Sequence, residues 1–128
     1  MFFHPFFAQT TFTEVANSRG IDMDGNKDGG FTFADFNADG YLDLMLNTFV
    51  DDANHRSRLY FNSGPPNFTF TDVTTTHAQG LIASGLAGSS VMERSAVAGD
   101  LNNDGYPDFI RNANVRLELY LNNGPSSG

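Results

Sequence analysis

The feature that most constrains the fold is an internal repeat, because the same series of short motifs occurs twice along the chain. The repeat divides the 128 residues into an apolar N-terminal extension over 1–11, a first repeat over 12–69 and a second repeat over 70–128. We expect the two repeats to form one structural unit, because the chain is too short for two independent domains of ordinary size. The matching segments are 12–15 and 70–73, 19–21 and 79–81, 35–43 and 100–108, and 58–62 and 118–122.

Each repeat consists of short apolar, aromatic and β-branched runs bounded by Gly, Asn, Asp and Pro, which is typical of β-strands. No helical periodicity is long enough to compete. The sequence therefore predicts an all-β fold of two four-stranded antiparallel blades of the propeller type. The predicted strands lie near 12–16, 31–36, 42–48, 57–62, 68–74, 94–100, 107–112 and 116–122.

Two acidic loops share one template, with oxygen-bearing side chains at positions 1, 3, 5 and 9 and glycine at position 6. Calcium takes about six to eight oxygen ligands, which alternate residues of a tight loop can supply while the glycine permits the turn. Position 7 is expected to give its backbone carbonyl. The predicted ligands are Asp35, Asn37, Asp39, Tyr41 and Asp43 in the first loop, and Asp100, Asn102, Asp104, Tyr106 and Asp108 in the second.

Three carboxylates in each loop favour calcium over magnesium, which prefers to keep its waters. We therefore expect two Ca²⁺ ions per chain, with binding coupled to folding because the like charges repel until a divalent ion binds. The alternative is that these are ordinary Asx-Gly surface turns. Two copies in register, each with an aspartate at position 9, argue against that alternative.

An EF-hand loop starts with the same spacing but needs a glutamate at position 12 and a helix on each side. Position 12 is Leu46 in the first loop and Arg111 in the second, so an EF-hand is excluded. A third acidic stretch contains Asp24, Asn26 and Asp28, with Thr32 where the template requires an acid. This stretch is either a third calcium site or a polar surface turn.

The loop pattern Asp-x-Asn-x-Asp-Gly-x-x-Asp between two strands is followed by a Leu-Tyr-x-Asn strand, and each repeat also carries Phe-Thr-[Asp/Glu]-Val. This combination resembles the FG-GAP/VCBS repeats of integrin-like propellers over residues 12–124. The resemblance implies that each loop joins the first two strands of a blade and binds calcium through the side chains named above. Such propellers usually close with about seven blades, whereas this chain has two repeats.

Composition excludes several classes of protein. A net charge of -8 and the absence of any Lys/Arg stripe exclude nucleic acid as the expected partner. There is no cysteine for a disulfide or a thiolate metal site, and no apolar stretch reaches the length of a membrane span. His4, His55 and His77 share no metal-ligand spacing, and no acyl-transfer set is recognisable, so we expect no enzyme activity.

The sequence therefore predicts an extracellular or cell-surface module with a structural, adhesion or ligand-display role. A self-assembling filament or ring protomer, with strand 11–16 completing the blade of an adjacent copy, is one alternative. A non-catalytic fragment of a larger secreted enzyme is another. We expect self-association through the N- and C-terminal strands, and a protein or polysaccharide is a candidate ligand.

Three further features bear on that prediction. The apolar opening 1–8 is either the remnant of a signal peptide or part of the folded protein. Asn67 begins a glycosylation sequon that matters only in a eukaryotic secretory route. Aromatic residues recur at strand positions, and we expect the following rings in the core: Phe33, Phe61, Phe68, Phe70 and Tyr120.

Overall fold

The protein is represented by a computed structural model that describes residues 11–21, 29–47, 49–50, 57–78, 91–113 and 116–125. A 3-10 turn at Asn17–Arg19 precedes the strands. The remaining elements in chain order are β1 (Phe31–Ala34), β2 (Asp43–Leu46), β3 (Phe49–Val50), β4 (Arg58–Asn62), β5 (Phe70–Asp72), α1 (Thr74–His77), β6 (Val91–Gly99), β7 (Asp108–Ala113) and β8 (Arg116–Tyr120).

These strands form two antiparallel sheets, which confirms the all-β prediction. The first sheet has the order β1-β2-β4-β5, and the second has the order β3-β6-β7-β8. The short strand β3 follows β2 along the chain but pairs with the start of β6, through Phe49 opposite Met92 and Val50 opposite Val91. The first repeat therefore contributes an edge strand to the second sheet.

The strand predicted near 12–16 is absent, and this part of the prediction is wrong. Residues 11–15 have no regular structure, and the side chain of Phe12 is 95% exposed. The chain then turns, with the Arg19 N–H donating to the Val15 carbonyl. Strand propensity forms a strand only where a neighbour supplies ladder hydrogen bonds, and none of the described strands pairs with this segment.

The core lies between the two sheets. Met45 is opposite Leu59 in the β2–β4 ladder, so both side chains point to the same face of the first sheet. Phe109 of the second sheet packs against them, and the Phe36 ring meets Phe109 edge to face at 6.1 Å. Burying each of these large side chains stabilises the fold by about 1.5–3 kcal/mol. Smaller, half-buried residues complete this layer: Ala34, Ala96 and Ala98.

Of the five rings expected in the core, three are half-buried and two are exposed. Phe61 and Tyr120 are half-buried against the core, and Phe70 is half-buried. Phe33 is 49% exposed and Phe68 is 47% exposed, so the prediction is wrong for them. Phe33 lies on the face of β1 that points away from the second sheet, and alternation along a strand does not reveal which face is covered.

A buried ion pair sits on the inner face of the second sheet. Arg111 is 1% exposed, and its guanidinium donates two hydrogen bonds to one carboxylate oxygen of Glu118, at 2.9 and 2.8 Å. The Tyr120 hydroxyl donates to the same oxygen at 2.7 Å. Burial, together with this hydrogen bond, raises the pKa of Tyr120 to about 12. The phenol therefore stays protonated and keeps donating to Glu118 throughout the neutral range.

Candidate functional site

The two acidic loops occupy equivalent places in the two sheets. Residues 35–42 join β1 to β2, and residues 100–107 join β6 to β7. The position-9 aspartates, Asp43 and Asp108, are the first residues of β2 and β7. The predicted location of the loops, between adjacent antiparallel strands, is therefore the one observed.

The position-9 carboxylates are fully buried and hold each loop to the strand beyond it. Asp43 is 0% exposed and accepts the Phe36 N–H at 2.9 Å and the Asn62 N–H at 2.8 Å, one on each carboxylate oxygen. Burial raises the pKa of Asp43, against the opposing effect of these backbone hydrogen bonds, and the nearby Asp39 charge raises it further. The corresponding bonds to Asp108, also 0% exposed, come from Leu101 at 2.8 Å and Asn122 at 2.8 Å.

The carboxylates at positions 1 and 5 organise the outer part of the first loop. Asp35 accepts the backbone N–H groups of Asp39 at 2.9 Å and Gly40 at 2.8 Å. Asp39 accepts the Tyr41 N–H at 2.9 Å and the side-chain amide of Asn37 at 2.9 Å. The second loop has the same four bonds. Asp100 accepts the N–H groups of Asp104 at 3.1 Å and Gly105 at 2.9 Å. Asp104 accepts the Tyr106 N–H at 2.9 Å and the Asn102 side-chain amide at 2.8 Å.

The position-6 glycines are required by the backbone. Gly40 has φ 92° and Gly105 has φ 91°, a conformation that is costly for residues with a Cβ. A Cβ at either position would meet no atom within 4 Å, so the requirement is conformational and not a matter of space. The glycine predicted to permit the turn therefore does so in both loops.

In both loops, the carboxylates predicted to bind calcium accept hydrogen bonds from backbone N–H groups of the same loop. Within the described residues, no three acidic or histidine side chains form a group that could hold a metal ion. The stretch with Asp24, Asn26 and Asp28 lies outside the described residues. The donor set of each loop, three carboxylates and one amide, contains only the oxygen ligands that calcium prefers and so fits that ion in chemical type.

Sequence reasoning missed a second layer that supports the loops. The Asn62 side-chain oxygen accepts the Gly64 N–H at 3.0 Å, while its amide donates to the Leu42 carbonyl at 3.1 Å. Asn122 has the equivalent bonds to Gly124 at 3.0 Å and Pro107 at 3.2 Å. The signal is present in the sequence as the duplicated Asn-x-Gly-Pro at 62–65 and 122–125, which extends the matching segments 58–62 and 118–122 by three residues.

The position-7 tyrosines, predicted to act through their carbonyls, also contribute their rings. The Tyr41 ring lies on Gly64, where any Cβ would collide with it. A Cβ at Gly124 would lie 2.6 Å from the Tyr106 ring. Gly64 and Gly124 have φ 63° and φ 68°, so each is constrained both by its backbone and by the ring above it.

Asn122, just after β8, makes a hydrogen bond to the first loop. Besides the Pro107 carbonyl, the Asn122 amide donates to the Phe36 carbonyl at 2.8 Å. Phe36 is the residue whose N–H binds the buried Asp43. The two loops are therefore connected through one asparagine and one stretch of backbone.

A cavity of about 520 Å³ opens between the sheets next to this connection. Five aromatic rings contribute to its wall, and two of them, Phe61 and His77, have centroids 4.9 Å apart. His77 is exposed in α1, whereas the other two histidines lie outside the described residues. The residues that line the cavity include Phe36, Leu59, Phe61, His77, Phe109 and Tyr120.

The family model of the FG-GAP-like repeat matches residues 35–111, more than half of the chain. The match begins at Asp35, the first residue of the first loop, and extends past the end of the second loop. The chain therefore belongs to the FG-GAP-like repeat family. No curated protein and no solved structure matches it. Among the described residues, no helix is long and apolar enough to cross a membrane.

Proposed function

We propose that this protein is a calcium-stabilised extracellular module with a structural, adhesion or ligand-display role, and that each acidic loop binds one Ca²⁺ ion. The observation that carries the proposal is the residue-by-residue identity of the hydrogen-bond networks in the two loops. Two loops of different sequence context keep the same carboxylates in the same places. Solubility alone gives no reason for such a match.

The ligands would be the oxygens that the template places at positions 1, 3, 5, 7 and 9 of each loop. A carboxylate oxygen that accepts one N–H keeps a second lone pair, so the present bonds do not exhaust the donor capacity. In the first loop these oxygens belong to Asp35, Asn37, Asp39 and Asp43, with the Tyr41 carbonyl as a further ligand. The second loop offers Asp100, Asn102, Asp104, Asp108 and the Tyr106 carbonyl.

A bound divalent cation would neutralise carboxylates that otherwise repel one another, such as the fully buried Asp43 and the nearby Asp39. Because Asp43 and Asp108 each begin a strand, stabilising the loop also stabilises the strand pairing next to it. The bond from Asn122 to Phe36 would pass part of this effect between the sheets. The expected role of calcium is therefore structural.

The extracellular assignment rests on the family and on the expected affinity. Extracellular calcium-binding modules work with affinities near millimolar, and such sites stay filled where calcium is at that concentration. The aromatic cavity between the sheets supports a ligand-display role, since ring faces suit the apolar faces of sugars or of protein side chains.

Self-assembly by strand addition is a second candidate, favoured by the exposed segment before the 3-10 turn. Phe12 is 95% exposed and Val15 is 44% exposed, and no described strand pairs with them. An unpaired segment of this composition suits addition to the sheet edge of another copy. Deleting residues 1–16 should then reduce the particle mass measured by light scattering, and unchanged assembly would refute the candidate.

Thermal unfolding tests the leading proposal. The full chain should melt at a higher temperature in millimolar calcium than in chelator, because a ligand that binds only the native state stabilises it by mass action. Magnesium at the same concentration is the matched control and should give a smaller rise. Equal melting temperatures in calcium and chelator would contradict the proposal.

A further inference from the structure

The two sheets differ in what covers equivalent faces. When the two repeats are aligned on their matching segments, Met45 of β2 corresponds to Ile110 of β7, and Leu59 of β4 corresponds to Leu119 of β8. Met45 is 0% exposed and Leu59 is 5% exposed, because the inner face of the second sheet covers them. Leu119, by contrast, is 55% exposed. The same strand face is core in one repeat and surface in the other.

The exposed face of the second sheet is apolar across all three of its long strands. Val97 of β6 is 70% exposed and Leu117 of β8 is 73% exposed. Ladder register places Val97 opposite Ile110 and Ile110 opposite Leu119, so these side chains form a row across the sheet. We call this surface the docking face, and its exposed members are Val97, Leu101, Leu117 and Leu119.

Leu101 belongs to this surface by the same equivalence. It occupies position 2 of the second loop, where the first loop has Phe36. Phe36 is 7% exposed because it packs into the core between the sheets, whereas Leu101 is 53% exposed. Several exposed apolar side chains on one sheet face are typical of an interaction site.

The interface inside the chain shows what fits such a face. There, the apolar face of the first sheet receives the other face of the second sheet, which carries Ala96, Ala98, Phe109 and Tyr120. The equivalent positions in the first sheet are Phe31, Phe33, Leu44 and Tyr60. In the interface inside the chain, the second sheet covers the first. The face of the first sheet that carries Phe31 and Phe33 is equivalent to that covering surface, so it is the surface expected to cover the docking face.

This face of the first sheet is partly open. Leu44 and Tyr60 are buried, but Phe31 is 62% exposed and Phe33 is 49% exposed at the β1 edge. Their rings meet edge to face at 5.7 Å and stand on the face of β1 that points away from the second sheet. In the interface inside the chain, β1 lies against β6. The same arrangement between copies would seat this ring pair on Val97.

We propose that the docking face binds the Phe31 and Phe33 face of a second copy of this chain. The contact is heterologous, because two different surfaces meet, so it repeats from one copy to the next. It uses sheet faces and does not depend on the segment 11–16. It also differs from the calcium proposal, since neither surface includes a predicted metal ligand.

Two charge-introducing variants test each surface separately. Leu119→Lys places a charge on the docking face, and Phe33→Lys places one on the opposing face. Each should weaken self-association at least about tenfold, because an unpaired charge in an apolar contact is costly to bury. Thr75→Lys is the matched control: it adds the same charge at an exposed position of α1 and should assemble like the wild type.

Mixing the two variants gives the decisive arm. Leu119→Lys keeps an intact Phe33 face, and Phe33→Lys keeps an intact docking face, so one productive contact remains between them. Sedimentation velocity should show wild type growing beyond a dimer with concentration, each variant alone as a monomer, and the equimolar mixture as a dimer. Circular dichroism of each variant checks that it is folded.

Several outcomes would overturn the proposal. A wild type that stays monomeric over about a hundredfold range of concentration means that no second copy binds. A Leu119→Lys variant that assembles normally means that the docking face is not used. A mixture that remains monomeric, or a Phe33→Lys variant that assembles normally, means that the partner surface is not the one we infer. Calcium titration of the same samples is scored separately, so failure of one proposal leaves the other intact.

Discussion

The two repeats keep their loops alike and let their sheets differ. The loop carboxylates at positions 1, 5 and 9 accept the same N–H groups in both, with distances that agree within 0.2 Å for each pair of bonds. The side chains that the two sheets bury are different. The first sheet buries Met45 and Leu59, whereas the second sheet buries Phe109 and Arg111. The constraint common to both repeats is therefore the loop, and packing adapts around it.

The largest expected effect comes from removing a buried loop carboxylate. Asp43→Ala and Asp108→Ala should each destabilise the protein by about 2–6 kcal/mol, because two backbone N–H groups lose their acceptor. Chemical denaturation in chelator measures this effect without a contribution from calcium. If the loops are structurally equivalent, the two losses agree within about 1 kcal/mol. A loss confined to one of them would break the comparison.

The next largest effect is a difference in stability cost between equivalent positions of the two sheets. Leu59→Ala should cost about 2–5 kcal/mol because it opens a cavity in the core. Leu119→Ala, at the matching position, should cost less than about 1 kcal/mol in the monomer because the side chain is already 55% exposed. Denaturant midpoints at low protein concentration compare them directly. Equal costs would mean that the second face is also covered.

A third prediction concerns ligands that contribute little to packing. Asp39→Ala and Asp104→Ala should each remove one calcium site, so each lowers the calcium-induced rise in Tm and the double variant abolishes it. A filled site at about a hundred times its Kd contributes about 2.7 kcal/mol. Asp28→Ala is the control and should change little. Equal effects at all three positions would show that the stretch around Asp28 also binds a metal.

The smallest effect is a pH dependence at the edge of the first sheet. Burial alone would raise the pKa of Asp72, but hydrogen bonds from Thr74 and Arg58 outweigh it and hold that pKa below its ordinary value of 3.8. A carboxylate with a lowered folded pKa stabilises the fold above its unfolded pKa and loses that contribution as pH falls through the folded value. Asp72→Asn should remove this component.

The Asp72 effect should be under about 1 kcal/mol, because the Arg58–Asp72 pair is about a third exposed and screened by water. Stability of the wild type and the Asn variant, measured from neutral pH to below 3.8, should converge toward the acid end. A difference that grows as the pH falls would contradict the assignment. Asp43 is unchanged in both proteins, so its own titration cancels in the difference.

The sequence predicted the loops well because their determinants are local. Nine consecutive residues contain the carboxylates, the glycine and the aspartate that begins the next strand, so spacing alone locates them. Asn62 and Gly64 were missed because they act on the first loop from about 20 residues away, and spacing within a loop says nothing about them. Only the pairing of β4 with β2 brings them to the loop.

The sheets were harder to predict because strand formation depends on partners. The segment 12–15 has the same residue types as 70–73, yet only the latter finds a strand to pair with, namely β4. The strand β3 was not predicted because it forms by pairing with β6, which belongs to the other repeat. Phe33 shows that alternation identifies the two faces of a strand without showing which face is covered.

Calorimetric titration of the full, metal-free chain with calcium is the measurement that tests the central claim most directly. The account predicts two ions bound per chain, one in each loop, with release by chelator. Asp104→Ala should retain one ion, which assigns the other to the second loop. Absence of binding up to millimolar calcium would contradict the account, however similar the two loops are in structure.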